Sequence, residues 1–280
     1  MIAANEIKTG LHKDVPADVY RSWDAMNYSR IKLLDKSLEL FKWRETNPPK
    51  PTKAMEFGTL CDIRLHQPEI FAELYAIAPK LDMRTTAGRE AAAKWESENS
   101  GKNGIDPADE EASRRVVEAV MSHAEASKIM AAGDPQVAGL WVDKETGVLC
   151  KMRLDWLSAV ISDLKVSVDV EADEFLKSMG TYGYHIQAAF YQDGYAAITG
   201  QRLQFVWIVA ESKEPYRVRV YKANNQCLTA GRIAYRRGLY RYQLSQKAND
   251  WRDPQIIEEI GVPSWIAYAE GLEREQGNEF

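Results

Sequence analysis

The chain contains no run of about 18 apolar residues, so it offers no segment able to cross a bilayer as a helix. It has only three cysteines, Cys61, Cys150 and Cys227, odd in number and widely dispersed. That excludes a disulfide framework and suits a reducing cytosol, with buried thiols as the ordinary role. The four histidines, His12, His66, His123 and His185, show no zinc-ligand spacing with these cysteines. Basic residues are not in excess: 36 Lys and Arg face 41 Asp and Glu, a net charge of −5. Such a chain does not spread over nucleic acid non-specifically, and any DNA contact must come from a local cluster of cations. Residues Met1 to Glu6 lack a basic stretch followed by an apolar one, so no secretory signal is expected. No internal repeat stands out. What remains, 280 residues with 45% hydrophobic and 28% charged, is ordinary globular composition with room for a sizeable core.

The densest chemistry lies between Gly147 and Lys165. Leu149 to Trp156 alternates as a strand: Leu149, Lys151, Arg153 and Asp155 on one face, Cys150, Met152, Leu154 and Trp156 on the other. Leu157-Ser158-Ala159 reads as a turn, and Val160 to Val166 as a returning strand with Asp163 and Lys165 on one face and Leu164 on the opposite one. Paired strands lie roughly 5 Å apart, so a hairpin brings Asp155 near Asp163. Two carboxylates so placed repel each other unless a cation intervenes, and all-oxygen ligation favours Mg²⁺ or Mn²⁺ over zinc. Such an ion acidifies a bound water and shields a phosphate, while Lys165 can orient that water or neutralise developing charge. Alternating Asp and Lys also decorate many solvated strands.

Gly183 to Gly200 reads as a helix with Tyr184, Gln187, Tyr191 and Tyr195 in one stripe. Gln187 and Tyr191, one turn apart, present an amide and a phenol, which suit a water or a phosphate; tyrosines that merely cover the sheet give the same pattern. Two basic groups are candidate DNA contacts: Arg84 and Arg89 with Lys80, and the run Arg232, Arg236, Arg237 and Arg241 interleaved with tyrosines, which equally suits a solvated helix face.

Elsewhere the spacing predicts a helix from Ser29, as N-cap, to Trp43 with Ile31, Leu34, Leu38 and Phe41 inward, and a second from Ala54 to Leu65. Ser97 to Gly104 reads as a mobile loop after a helix over Gly88 to Glu98. Asp106-Pro107 opens a helix running to about Met130, with Val116, Val117, Val120 and Met121 facing inward. Strands are expected at Gln136 to Val142, Val148 to Trp156, Ala159 to Val166, Leu203 to Val209 and Tyr216 to Lys222, with helices at Glu171 to Ser178 and Asn224 to Gln246 and a tail carrying Trp265, Ile266 and Tyr268. The fold class is α/β (α+β): a mixed central sheet flanked by helices. One domain over 1–280 is expected, because the candidate site draws on residues from Asp62 to Tyr191. Its helical N-terminal part covers about 20–131, its core about 136–245 and its tail 246–280.

Strand-Asp, strand-Asp-x-Lys, then helix Gln-x₃-Tyr resembles the PD-(D/E)XK nuclease superfamily with its restriction-endonuclease-like core. More narrowly, the chain resembles the nuclease domain of RecE, exodeoxyribonuclease VIII, and its phage relatives. Tyr28 to Leu34, Phe57 to Pro68, Arg84 to Arg89, Trp141 to Asp155 and Tyr184 to Tyr191 carry the likeness in order. The resemblance implies Asp155 and Asp163 as metal ligands completed by the Leu164 carbonyl, Lys165 as catalytic lysine, and Gln187 and Tyr191 as the paired helix residues. One departure stands at Asp62, where the family has a metal-binding histidine; Asp62 can ligate Mg²⁺ through oxygen or be a solvated helix residue, and His66 lies one turn on. Iron–sulfur relatives use four cysteines, which three dispersed ones cannot match.

By that resemblance the chain is a Mg²⁺ (or Mn²⁺)-dependent exonuclease. It degrades duplex DNA from its ends, 5′-to-3′, as a ring-shaped homo-oligomer, and leaves 3′ single strands for an annealing protein in recombination. The setting implied is the cytoplasm of a bacterial host, with phage or prophage origin and no membrane partner. The alternatives are a non-catalytic DNA-end-binding or assembly protein on the same fold, and a PD-(D/E)XK endonuclease.

Overall fold

Apolar alternation and turn residues organise a six-stranded sheet that positions everything else. The computed structural model describes residues 8–271. The N-terminal part holds β1 (Gly10–His12), α1 (Ala17–Ser22), α2 (Tyr28–Lys36), α3 (Leu38–Thr46), α4 (Lys53–His66) and α5 (Pro68–Leu74). Then come β2 (Tyr75–Ile77), α6 (Thr86–Glu98), β3 (Asn103–Ile105), α7 (Pro107–Ser122) and α8 (Ala124–Met130). The core continues with β4 (Asp134–Val142), β5 (Leu149–Leu157), β6 (Ile161–Ser167), α9 (Ala172–Tyr182), α10 (Tyr184–Thr199), β7 (Phe205–Glu211) and β8 (Val218–Lys222). The long α11 (Asn225–Ala248) and short α12 (Ser264–Ala269) follow.

The sheet order is β1-β4-β5-β6-β7-β8. Only β6 and β7 run parallel, joined by the α9–α10 crossover; all other neighbours are antiparallel. A parallel pair needs such a crossover, because a tight turn can only reverse the chain. One face of the sheet packs on α2, α10 and α11 through Met152, Leu154, Phe190, Trp207 and Tyr235. The other carries α4, α7 and α8 through Cys61, Leu65, Val116, Val120 and Met130. The mixed sheet between helix layers is the architecture expected from the sequence. Helices α10 and α11 touch at Gly231, where a Cβ would lie 2.0 Å from the His185 carbonyl oxygen. Among the described residues no helix is long and apolar enough to cross a membrane.

Several boundaries differ from expectation. The helix from Ser29 to Trp43 is two helices: Ser37 is extended, caps α3 by accepting from Leu40 N–H at 2.9 Å, and is pinned by Asp253, which accepts from Leu38 N–H at 2.7 Å. The first cap is Asn27, not Ser29; its side chain accepts from Arg30 N–H at 3.0 Å. His123 likewise breaks the helix expected to reach Met130, capping α8 through its ring, and Met121 is 47% exposed rather than inward. The polar run after α6 ends in β3, which pairs in parallel with β2. Three-residue strands carry no readable period, so β1, β2 and β3 left no signal in the sequence. The expectation about a secretory signal at Met1 to Glu6 lies outside the described residues.

Candidate nuclease centre

Strands β5 and β6 pair only at Trp156↔Ser162 and Leu157↔Ile161, then part. The edge that β5 loses is covered by Met26, whose N–H donates to Leu149 O at 2.8 Å and whose carbonyl accepts from Lys151 N–H at 2.7 Å. Into the fork reaches Asp155, which accepts the freed N–H of Leu164 at 3.2 Å on Oδ2. A strand residue's N–H and C=O point the same way, so the Leu164 carbonyl faces that gap too.

The alternation expected along β5 fails at this point. Cys150, Met152 and Leu154 face the α10 side, but Trp156 packs with the α4 layer, stacked on His66 and donating to Ile129 O at 3.1 Å. Opposite Asp155 the β4 ladder skips Gln136, which is left-handed at φ 50°. A non-glycine residue there is strained by about 1 kcal/mol or more, and the local twist turns the strand faces. That twist lets Asp155 meet groups from both helix layers.

From the α10 side, Asp163 is 2% exposed. Its Oδ1 accepts from Gln187 Nε2 at 2.5 Å, and its Oδ2 touches the Lys165 ammonium in an ion pair that lacks hydrogen-bond geometry. The Lys165 ammonium also lies 4.8 Å from the Tyr184 ring centre. Tyr191 is buried, its ring packed edge-on against Tyr28 with ring centres 5.8 Å apart. From the α4 side comes Asp62. His66 Nδ1 donates to its Oδ1 at 2.7 Å, and Gln136 Nε2 to its Oδ2 at 3.1 Å. His66 is buried and therefore holds Asp62 in place.

The electrostatics suit a divalent cation. Burial, then the charges of Asp163 and Asp62, push the Asp155 carboxyl well above the ordinary carboxylate range, against the pull of Lys165 and the Leu164 N–H. Burial disfavours the Lys165 ammonium, yet Asp163, Tyr28 and Asp155 hold its proton more tightly than in a free lysine. Burial raises Tyr28 and Tyr191 and pushes Tyr184 up to about 12, so all three stay neutral. Asp163 Oδ2 and Gln187 Oε1 are buried without a directed hydrogen-bond partner among the described residues. Buried acceptors without a directed hydrogen bond, one of them held only by the Lys165 ammonium, beside a destabilised carboxylate are what a hard divalent ion would satisfy. Still, no three His, Cys, Asp or Glu side chains among the described residues form a ready metal cluster. The pair at the fork, with Leu164, fits an ion; Asp62 faces it with both oxygens already engaged.

Asp155, Asp163, Lys165, Gln187, Tyr191 and Asp62 are thus brought together, and the candidate DNA-contacting arginines are not. Arg84 is exposed and donates to Asp82 at 2.9 and 3.0 Å, and Arg89 makes no polar contact with the site. On α11, Arg232 grips Asp193 at 2.6 and 2.9 Å, Arg236 pairs with Asp143 at 2.5 Å, and Arg237 with Asp35. The helix therefore presents ion pairs rather than three free cations; Arg232 and Arg236 line a cavity of about 570 Å³ beyond the far end of β4. Residues that reading the sequence missed are Gln136, Arg153 and the holding role of His66. Arg153 was visible two places before Asp155 on one strand face; nothing local announces the conformation of Gln136.

The architecture is shared with a known structure. A presumed exonuclease from Eubacterium rectale superposes with a TM-score of 0.60 at 17% identity, covering 92% of this chain and 99% of that one. At that identity the likeness concerns the fold. The chain matches none of the curated proteins. A family model matches residues 28–259, and the chain accordingly belongs to the PDDEXK-like domains of unknown function (DUF3799).

Proposed function

We propose that the chain is a metal-dependent deoxyribonuclease that hydrolyses phosphodiester bonds, and more narrowly an exonuclease of the RecE type acting from duplex ends. The observation that carries the reading is the buried Asp155–Asp163–Lys165 group at the β5–β6 fork, with the Asp155 carboxylate destabilised by burial and then by like charge. Asp155, Asp163 and the Leu164 carbonyl would hold Mg²⁺ or Mn²⁺, with Asp62 facing them. Such an ion, when bound, shields phosphate charge and acidifies a water. Gln187 fixes one oxygen of Asp163, while the other meets the Lys165 ammonium, which a bound ion would share or displace. Lys165 stays charged beside the scissile position, where an ammonium stabilises the developing oxyanion. Tyr28 and Tyr191 exclude bulk water from one wall, which strengthens each of these interactions.

End-dependence, 5′-to-3′ travel, a ring-shaped oligomer and an annealing partner belong to the proposal through the resemblance to RecE. The test is digestion of linear and closed circular duplex with Mg²⁺, with Mn²⁺ and with EDTA, using substrates labelled at either 5′ or 3′ end. Linear DNA should disappear from its ends in either metal, while the circle survives. Cutting of the circle would indicate an endonuclease. A second reading, a DNA-end-binding protein without catalysis, draws on Asp62, whose oxygens are both taken by His66 and Gln136. Binding of ends without any product, in either metal, would favour it and overturn the first.

A further inference from the structure

We infer that Arg153 binds a backbone phosphate of the DNA strand held at the fork. The inference rests on the nuclease reading and assigns a substrate contact to a residue outside the metal and lysine set. Arg153 lies on β5 two residues before Asp155. Its Nε is fully buried and has no hydrogen-bond partner among the described residues. No carboxylate there pairs with it, although the charges of Asp62 and Asp155 reach it. Arg30, by contrast, holds Glu45 at 2.7 Å, and Arg64, whose Nε is likewise buried without a partner, holds Glu110 at 2.9 Å through Nη2; Arg153 has no such carboxylate. Arg153 instead lies over the Tyr20 ring, 5.9 Å from its centre.

Lys151, the next cation on the same strand, is not available for a ligand. Its ammonium donates to the carbonyls of Tyr20, Arg21 and Trp23 at 3.0, 3.2 and 2.6 Å. A buried N–H without an acceptor carries a desolvation penalty. The residue as a whole is only half-buried and no carboxylate among the described residues pairs with it, so its charge is left for an anion. A guanidinium fork matches two phosphate oxygens, where an ammonium offers one point charge. Half-buried on a rigid strand beside the reacting group, Arg153 is placed to hold the backbone in register for attack.

The experiment measures binding of a short blunt duplex by fluorescence anisotropy over a salt series. Asp155→Asn protein in Ca²⁺ is the reference, with Arg153→Met and Arg153→Lys added in the same background. Melting temperatures confirm that each variant is folded. Arg153→Met should weaken binding about tenfold and lower the slope of log K against log salt by about 0.9, the loss of one phosphate contact. Arg153→Lys should restore the slope but not the full affinity. In the otherwise unaltered enzyme, Arg153→Met should raise KM more than it lowers kcat. Unchanged affinity and slope in a folded Arg153→Met protein, while the unaltered enzyme still cleaves, overturns this inference alone. If the unaltered chain neither binds nor cuts duplex DNA, the nuclease reading itself falls and this inference with it.

Discussion

Replacing Asp155 by asparagine separates what its carboxylate does for chemistry from what it does to the fold. Asparagine keeps an oxygen to accept the Leu164 N–H but loses the charge that faces Asp163 and Asp62. At about 5.5 Å, the spacing of facing side chains on paired strands, and an effective dielectric of about 20, two like charges repel by about 3 kcal/mol, an upper bound where the strands part. Lys165, ion-paired to Asp163, offsets part of this. The metal-free Asp155→Asn protein should therefore be more stable by about 1–2 kcal/mol at pH 7, or about 2–6 °C in Tm. Because the folded protein binds the Asp155 proton more tightly than the unfolded chain does, stability of the unsubstituted protein falls as pH rises above the ordinary aspartate value near 4. The advantage of the variant should vanish below about pH 4, where both states are protonated. Calorimetry in EDTA at pH 7 and pH 4 reads this directly. Adding Mg²⁺ should raise the Tm of the unsubstituted protein and leave that of the variant unchanged, and cleavage should fall by at least about 10³-fold. A variant that melts lower than its parent in EDTA at pH 7, or that cleaves normally, would falsify the reasoning.

Other expectations concern the scaffold around that carboxylate. Gln136→Ala keeps the left-handed backbone but loses the bond to Asp62, whereas Gln136→Gly also relieves the strain. Both should lose about tenfold in cleavage, with the glycine variant melting higher by the equivalent of about 1 kcal/mol, and the reverse order of melting would reject the strain at this position. Burial alone would raise the Asp193 carboxyl, but Arg232, Tyr235 and Arg202 hold it below its ordinary value. Asp193→Asn should cost about 2 kcal/mol at pH 7, discounted for the partly exposed arginines, and the difference should shrink as pH falls below about 4 and the parent's own carboxyl protonates; a pH-independent loss argues against this ion-pair account. Gly231→Ala drives a methyl into the His185 carbonyl, so α11 must leave α10; a loss of about 3 kcal/mol or more is expected, and a normal thermal melt contradicts the close approach.

Much of the candidate centre was legible because its signals are local. Asp155, Asp163 and Lys165 sit on strands joined by a short turn, and a period of two announces which side chains share a face. Gln187 and Tyr191 follow the helical period of α10. The role of Tyr191 was less legible, since a phenol reads the same whether it donates or packs, and only the fold sets its ring against Tyr28. The α11 arginines show the limit of spacing arguments. Their periodicity was plain, but their partners Asp193, Asp143 and Asp35 lie 39, 93 and 202 residues away in sequence. Only folding reveals that those charges are spent on ion pairs.

By itself the sequence determined the strand and helix periods, and with them the carriage of two acids and a lysine on adjacent strands, since dihedral preference and burial act over a few residues. The tertiary structure alone decided that β5 and β6 part after two pairs, that Gln136 turns left-handed opposite Asp155, and that His66 and Gln136 hold Asp62 while Arg153 stays without an acceptor. Those outcomes depend on which distant groups meet in a buried, weakly screened space, and local pattern carries no information about such meetings.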